Sequence, residues 1–246
     1  MAKKKIWIIG IFLMLLLLPQ TTYGMHIMEG FLPVRWCISW GVFTIPFLLV
    51  GFFSIQKIIS EHPRTKMLLA MAGAFAFVLS ALKIPSVTGS CSHPTGIGFG
   101  TILFGPTAMS IIGLIVLLFQ AILLAHGGLT TIGANTFSMA VVGPLVAFAI
   151  YKIIKKASGP QWLAIFLAAA LGNLSTYIMT SVQLALAFPS EAGGFTASLL
   201  KFMSVFAITQ IPLAISEGIL TILIFNAIKA YGKQELKDLK IISKEV

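Results

Sequence analysis

The sequence predicts an all-α polytopic membrane protein with about seven transmembrane segments, folded as one domain after removal of a signal peptide. Three observations predict it. Of 246 residues, 58% are hydrophobic and only 10% charged, a balance too apolar for a soluble domain. The apolar residues gather into runs long enough to cross a hydrocarbon core of about 30 Å. The basic residues behind the formal net charge of +10 sit at the ends of those runs, where lysine and arginine mark the cytoplasmic side. Phosphate recognition would need them clustered on a soluble face, so nucleic acid is not an expected partner.

Residues Met1 to Gly24 have the layout of a secretory signal. Lys3, Lys4 and Lys5 form a basic start, Ile6 to Leu18 an apolar run too short for a full span, and Pro19 breaks the helix before the small residues Thr22 and Gly24. Cleavage is expected between Gly24 and Met25, which would liberate an α-amino group on Met25 and leave residues 25–246 as a single integral membrane domain. Longer apolar runs follow at Val34 to Gln56, Met67 to Ile84, Pro106 to Ala125, Ala134 to Tyr151, Gln161 to Ala187 and Lys201 to Ile228. Six crossings from an outer N-terminus would place Lys152, Lys155, Lys156 and the lysine-rich tail outside, against the positive-inside tendency. A short seventh segment at Thr95 to Gly105 repairs the count, because irregular backbone is tolerated at membrane depth where neighbouring helices bury it. Glu29, His93, His126 and Glu191 are then expected near the outer face. Lys229 to Val246 is expected to fray as a cytoplasmic helix end.

Cys37 and Cys91 are too few for a disulfide framework or a multi-cysteine zinc site and read as packing residues. The chemistry-bearing stretch is Met25-His26-Ile27-Met28-Glu29-Gly30-Phe31-Leu32-Pro33. With Met25 as the first residue, its amine, the backbone nitrogen of His26 and one imidazole nitrogen of His26 can close two small chelate rings around one metal. The donors must lose their protons, so binding should weaken in acid. Such an array favours square-planar or tetragonal geometry, suiting nickel or copper at least as well as cobalt. His93, in a loop with Pro94 and Gly96 that can turn tightly, is expected as the fourth ligand. His126, before Gly127-Gly128, reads as loop packing, and His62 falls at the opposite end. Met28, Cys91 and Glu29 read as apolar filler, buried thiol and solvated or capping carboxylate.

Asn135, Asn173, Gln183, Gln210 and Glu217 interrupt apolar runs, where amides commonly hydrogen-bond neighbouring helices. Glu217 is the most costly, and a helix broken at Pro212 is expected to offer it backbone groups. Ala70, Ala72, Gly73, Ala74 and Ala76 allow close helix contact, internal or with a partner. The sequence holds no Gly-x-x-x-x-Gly-Lys-Ser/Thr phosphate loop, so uphill transport would need energy from another subunit or an ion gradient.

The string MHIMEGFLP at Met25 to Pro33 resembles the CbiM family, the cobalt-binding substrate subunits of energy-coupling factor transporters, related to the nickel-binding NikM subunits. His93-Pro94-Thr95-Gly96, His126 to Phe137 (HGGLTTIGANTF) and Pro212 to Gly218 (PLAISEG) extend the resemblance over the mature chain. It implies metal coordination by the Met25 amine, the backbone and imidazole nitrogens of His26, and the His93 imidazole. It also implies a non-enzymatic role, with Co(II) as cargo, no catalytic cofactor, and import feeding cobalamin synthesis. The implied partners are a transmembrane coupling subunit, a small membrane accessory subunit and a cytoplasmic ATPase. Nickel-type relatives tend to carry proline and aspartate where this chain has Met28 and Glu29, which favours cobalt. A nickel subunit of the same type remains the nearest alternative, ahead of a self-sufficient secondary transporter or an intramembrane metalloenzyme.

Overall fold

The computed structural model describes residues 23–24, 26–82, 84–85 and 90–242. Most of the stretch read as a signal segment, and Met25 itself, lie outside the described residues. The chain is all-α and polytopic, with six helices long and apolar enough to cross a membrane among the described residues.

Helix α1 (Val34–Glu61) begins at Pro33, whose carbonyl accepts the amides of Trp36 and Cys37, and stops before Pro63, which cannot continue it. A single 3-10 turn (Pro63–Thr65) leads into α2 (Lys66–Ala81). Helix α3 (Ile97–Leu124) is interrupted at Gly105, whose φ of 83° and ψ of 168° no helix contains, and Pro106 follows. A straight helix of 28 residues would hold its ends roughly 40 Å apart. Instead Gly113 lies against the side chain of Ile97 and Gly100 against Met109, so the chain reverses at Gly105 and the two arms lie antiparallel. The stretch expected as a short seventh segment is therefore an arm of its own, Ile97 to Phe104, buried along its whole length. At about 12 Å it is much shorter than the hydrocarbon core.

After a loop come α4 (Ile132–Thr136), a π-helical stretch (Phe137–Val142) and α5 (Gly143–Lys156), which together make one span. Helix α6 (Gln161–Ala187) coincides with the run read from the sequence. Helix α7 (Gly194–Tyr231) is longer than its run and continuous through Pro212, so the expected break there does not occur. In a membrane-embedded helix, local adjustment and neighbouring groups absorb the missing amide. Ala72 packs on Gly100 and Ala76 on Gly96, so the inner members of the small-residue stripe serve internal packing.

The tail departs from expectation. A short helix α8 (Lys233–Asp238) docks on the bundle instead of fraying, because Leu236 is fully buried and Leu239, Ile241 and Ile242 pack beside it against the core around Phe225 and Ile228. Lys155, Lys229, Lys233 and Lys237 line one cleft, and Arg64 shares another with Glu61 and Asp238. These basic residues gather at the end of the bundle where α1 finishes, opposite the end that carries residues 26–32.

Three short strands, β1 (Tyr23–Gly24), β2 (Ile84–Pro85) and β3 (Ser90–Ser92), lie at this second end. β3 is central, parallel to β1 and antiparallel to β2. The parallel register pairs Tyr23 with Ser90 and Gly24 with Cys91. His26 and His93 follow closely on the ends of β1 and β3.

Candidate metal centre

His26, His93 and His126 converge in the interior, with 1%, 0% and 4% of their surfaces exposed. Ring centroids are 4.6 Å apart for His26 and His93 and 4.8 Å for each pairing with His126. One nitrogen from each ring can be chosen so that all lie within 4.8 Å of one another. A first-row ion at about 2.0–2.1 Å from each donor needs donors roughly 3–4 Å apart, so a contraction of about an ångström would close them on a metal. His93 Nδ1 lies 2.8 Å from the Pro94 carbonyl, which can only accept, so Nδ1 carries the proton and Nε2 the lone pair.

Each histidine is brought here by a separate device. His126 follows Ala125, which caps α3 in the left-handed region at φ 47°, and both the Ala125 and His126 amides return to the Gln120 carbonyl. For a non-glycine residue that conformation costs about 1–2 kcal/mol, offset here by the satisfied carbonyl. Gly127, at φ 76°, turns the chain again, and a Cβ on it would meet Asn135 Nδ2 at 3.1 Å and His26 Cβ at 3.5 Å. Gly128 is tighter still, since a Cβ there would lie 2.5 Å from the Glu29 Cα and 2.6 Å from the Glu29 amide nitrogen. The glycine pair is what lets the 26–32 segment pass against this loop.

Asn135 holds that segment as a strand partner would. Its Oδ1 accepts the Ile27 amide at 2.8 Å and its Nδ2 donates to the Ile27 carbonyl at 2.9 Å, where Thr131 Oγ1 also donates at 2.6 Å. The Ile27 side chain is 2% exposed and packs with Leu32, Tyr177, Leu184 and Phe206. Burying it contributes about 1.5–3 kcal/mol toward seating the segment. In a chain cut after Gly24 the β1 pairing would be lost, and the contacts of Ile27 would remain to hold the segment.

Glu29 closes the latch at the surface. Its amide donates to the Gly127 carbonyl at 3.2 Å, and its carboxylate accepts the Thr130 amide at 3.1 Å. Hydrogen bonds from Thr130, its side chain first, hold the Glu29 carboxyl below the usual carboxylate range. A carboxyl lowered in this way stabilises the latch above the ordinary carboxylate pKa, and the contribution is lost only as pH falls through the lowered value. The ordinary pKa values of an amine and an imidazole lie above that of a carboxylate. Glu29→Gln should therefore weaken cobalt binding a few-fold across the range while leaving the pH of half-loss unchanged, as read by equilibrium dialysis between pH 4 and 8. A displaced midpoint would assign the acid sensitivity to the latch.

The structure brings together His26 and His93, two of the three expected ligands, while Met25, the third, lies outside the described residues. It adds His126, which the sequence reading assigned to loop packing because one histidine before two glycines gives no sign of what it faces. His62 lies at the opposite end, in the cleft with Glu61, Arg64 and Asp238.

The family model described as the cobalt uptake substrate-specific transmembrane region, CbiM, matches residues 26–235, nearly all of the chain. The chain belongs to the CbiM family. A cobalt transport protein CbiM of Chlorobium limicola is 61% identical over 237 residues, covering 96% of this chain and 93% of the relative. One from Nostoc sp. is 62% identical over 223 residues, covering 91% and 85%. Among solved structures, a transition metal transporter superposes with a TM-score of 0.72 at 24% identity over 83% of this chain and 92% of the other. A truncated transition metal transporter gives 0.71 at 23% identity, covering 84% and 99%. At those identities the likeness shows a shared fold. The CbiM match begins at His26 and takes in all three clustered histidines.

Proposed function

We propose that this CbiM-family chain is the substrate-capture subunit of an ATP-driven, energy-coupling-factor cobalt importer, taking Co(II) at the outer face and supplying it for cobalamin synthesis. The observation that carries the reading is the buried three-histidine cluster at the end of the bundle opposite the basic clefts. Its ligands are the Met25 amine freed by cleavage, the His26 backbone and imidazole nitrogens, and His93 Nε2, with His126 beside them. All these donors are nitrogens, and loss of the His26 amide proton offsets part of the dication's charge in an apolar interior. The positive-inside tendency puts the clefts lined by Lys155, Lys229 and Lys233 in the cytoplasm, where a coupling subunit, a small accessory subunit and an ATPase would act. The sequence has no phosphate loop, which agrees with an ATPase on a separate chain.

A nitrogen-only donor set also suits nickel, whose affinity for such sites ordinarily exceeds that of cobalt. The deciding experiment purifies the membrane-expressed protein, reads its first residue by mass spectrometry and measures cobalt and nickel bound per chain. A chain starting at Met25 is expected to bind one cobalt, and a version with one extra residue before Met25 is expected to bind none. Equal binding with a blocked N-terminus would remove the amine from the site. Preferential nickel loading and uptake would reassign the cargo.

A further inference from the structure

We propose that Glu217 is a positioning residue for His93, holding its imidazole at the metal through the backbone of the His93-Pro94-Thr95-Gly96 turn. The proposal rests on the reading of His93 as a ligand. Glu217 is fully buried in α7, where a carboxylate is expensive and a leucine would fill the same space at no electrostatic cost. Its two oxygens accept four hydrogen bonds. Oε2 takes the Thr95 amide at 2.6 Å and Asn173 Nδ2 at 2.5 Å, while Oε1 takes the Thr95 hydroxyl and the Gly96 amide, each at 2.9 Å. Seven residues earlier on the same helix, Gln210 Nε2 donates to the His93 carbonyl at 3.2 Å and to Asn173 Oδ1. Residues 93, 95 and 96 are thus gripped by two side chains of α7, Glu217 and Gln210, which Asn173 of the adjacent α6 ties together.

The turn has no slack on its other side. Gly96, at φ 67°, lies so close to α2 that a Cβ would come within 2.7 Å of the Ala76 Cα. The loop is wedged between the α2 backbone and the Glu217 carboxylate, so the carboxylate's position fixes where His93 sits. Only an acceptor with two oxygens serves here. A glutamine has one oxygen and one NH2: in one flip its NH2 faces two N–H donors, Thr95 N and Asn173 Nδ2, and in the other it faces the Gly96 N–H, where only the Thr95 hydroxyl can turn to accept. A glutamine therefore keeps the volume and loses the grip.

The test uses the full chain loaded with Co(II), whose visible absorption reports ligand geometry, together with the affinity and the thermal stability of the metal-free protein. Glu217→Gln is expected to alter the cobalt spectrum and weaken binding by about 10- to 100-fold, the range typical of lost support behind a ligand. Adding Asn173→Asp, which returns a carboxylate to the neighbouring helix opposite the new NH2, should recover part of the loss. Gln210→Leu, which removes only the bond to the His93 carbonyl and its link to Asn173, should shift the spectrum in the same direction and decides the matter if Glu217→Gln does not fold. A wild-type spectrum in the foldable variants, with lowered thermal stability alone, would make the network structural and overturn the inference. His93→Ala separates the underlying reading: if it too leaves the cobalt spectrum unchanged, His93 is no ligand, whereas a changed His93→Ala spectrum beside an unchanged Glu217→Gln spectrum sinks the positioning role alone.

Discussion

Replacing His26 or His93 by alanine should reduce Co(II) affinity by more than about 100-fold, beyond the loss expected from any residue that merely supports a ligand. Each substitution deletes an imidazole that is buried to within 1% of its surface, and leaves His126 as the one remaining neighbour in the three-histidine cluster beside the surviving ring. His126→Ala is expected to cost less, about tenfold, because in the proposed site Met25, His26 and His93 would supply four nitrogens and the His126 ring would stand beside them. Isothermal titration with Co(II) on the three single variants ranks them directly. Equal losses at all three positions would make the site a three-imidazole one, with the amine dispensable. A minor effect at His26 would remove the N-terminal segment from the chemistry. The metal-free folds should survive all three changes, since each removes a polar ring from an apolar interior.

Two of the three clustered histidines were legible because their signals are local. His26 follows a string read as a cleavage pattern, His93 precedes a Pro-Thr-Gly turn, and the positions of the lysines argued for a further segment beyond the six plain apolar runs. The same charge argument singled out Thr95 to Gly105, and the reversal at Gly105 is the physical form that segment takes. What escaped notice depends on tertiary partners. His126 is in the cluster because Ala125 and Gly127 both adopt positive φ, a geometry that composition does not announce for alanine. Glu217 was expected to pair with backbone freed at Pro212, yet α7 runs unbroken and the carboxylate reaches a loop 121 and 122 residues away in sequence. Leu236, Leu239, Ile241 and Ile242 form an apolar stripe that docks the tail, and the lysines between them masked it.

Asn135→Ala should weaken cobalt binding by about tenfold to a hundredfold without touching a ligand. The side chain makes two complementary hydrogen bonds to Ile27, one residue from His26, and both residues are at least 98% buried. Alanine would leave the Ile27 amide without its acceptor. The Ile27 carbonyl would keep Thr131 Oγ1 at 2.6 Å. One orphaned buried donor costs about 1–3 kcal/mol. Because that cost falls only on the docked form of the 26–32 segment, it is drawn from metal affinity at about 1.4 kcal/mol per tenfold. The loss should therefore show as faster metal release, with amide exchange at residues 26–31 of the metal-free protein rising above wild type. His26→Ala should leave that exchange near wild type, since Ile27 and Asn135 still pair. If Asn135→Ala weakened binding while exchange in the segment stayed low, the amide would be acting on the metal's surroundings and not on the docking of the N-terminal segment.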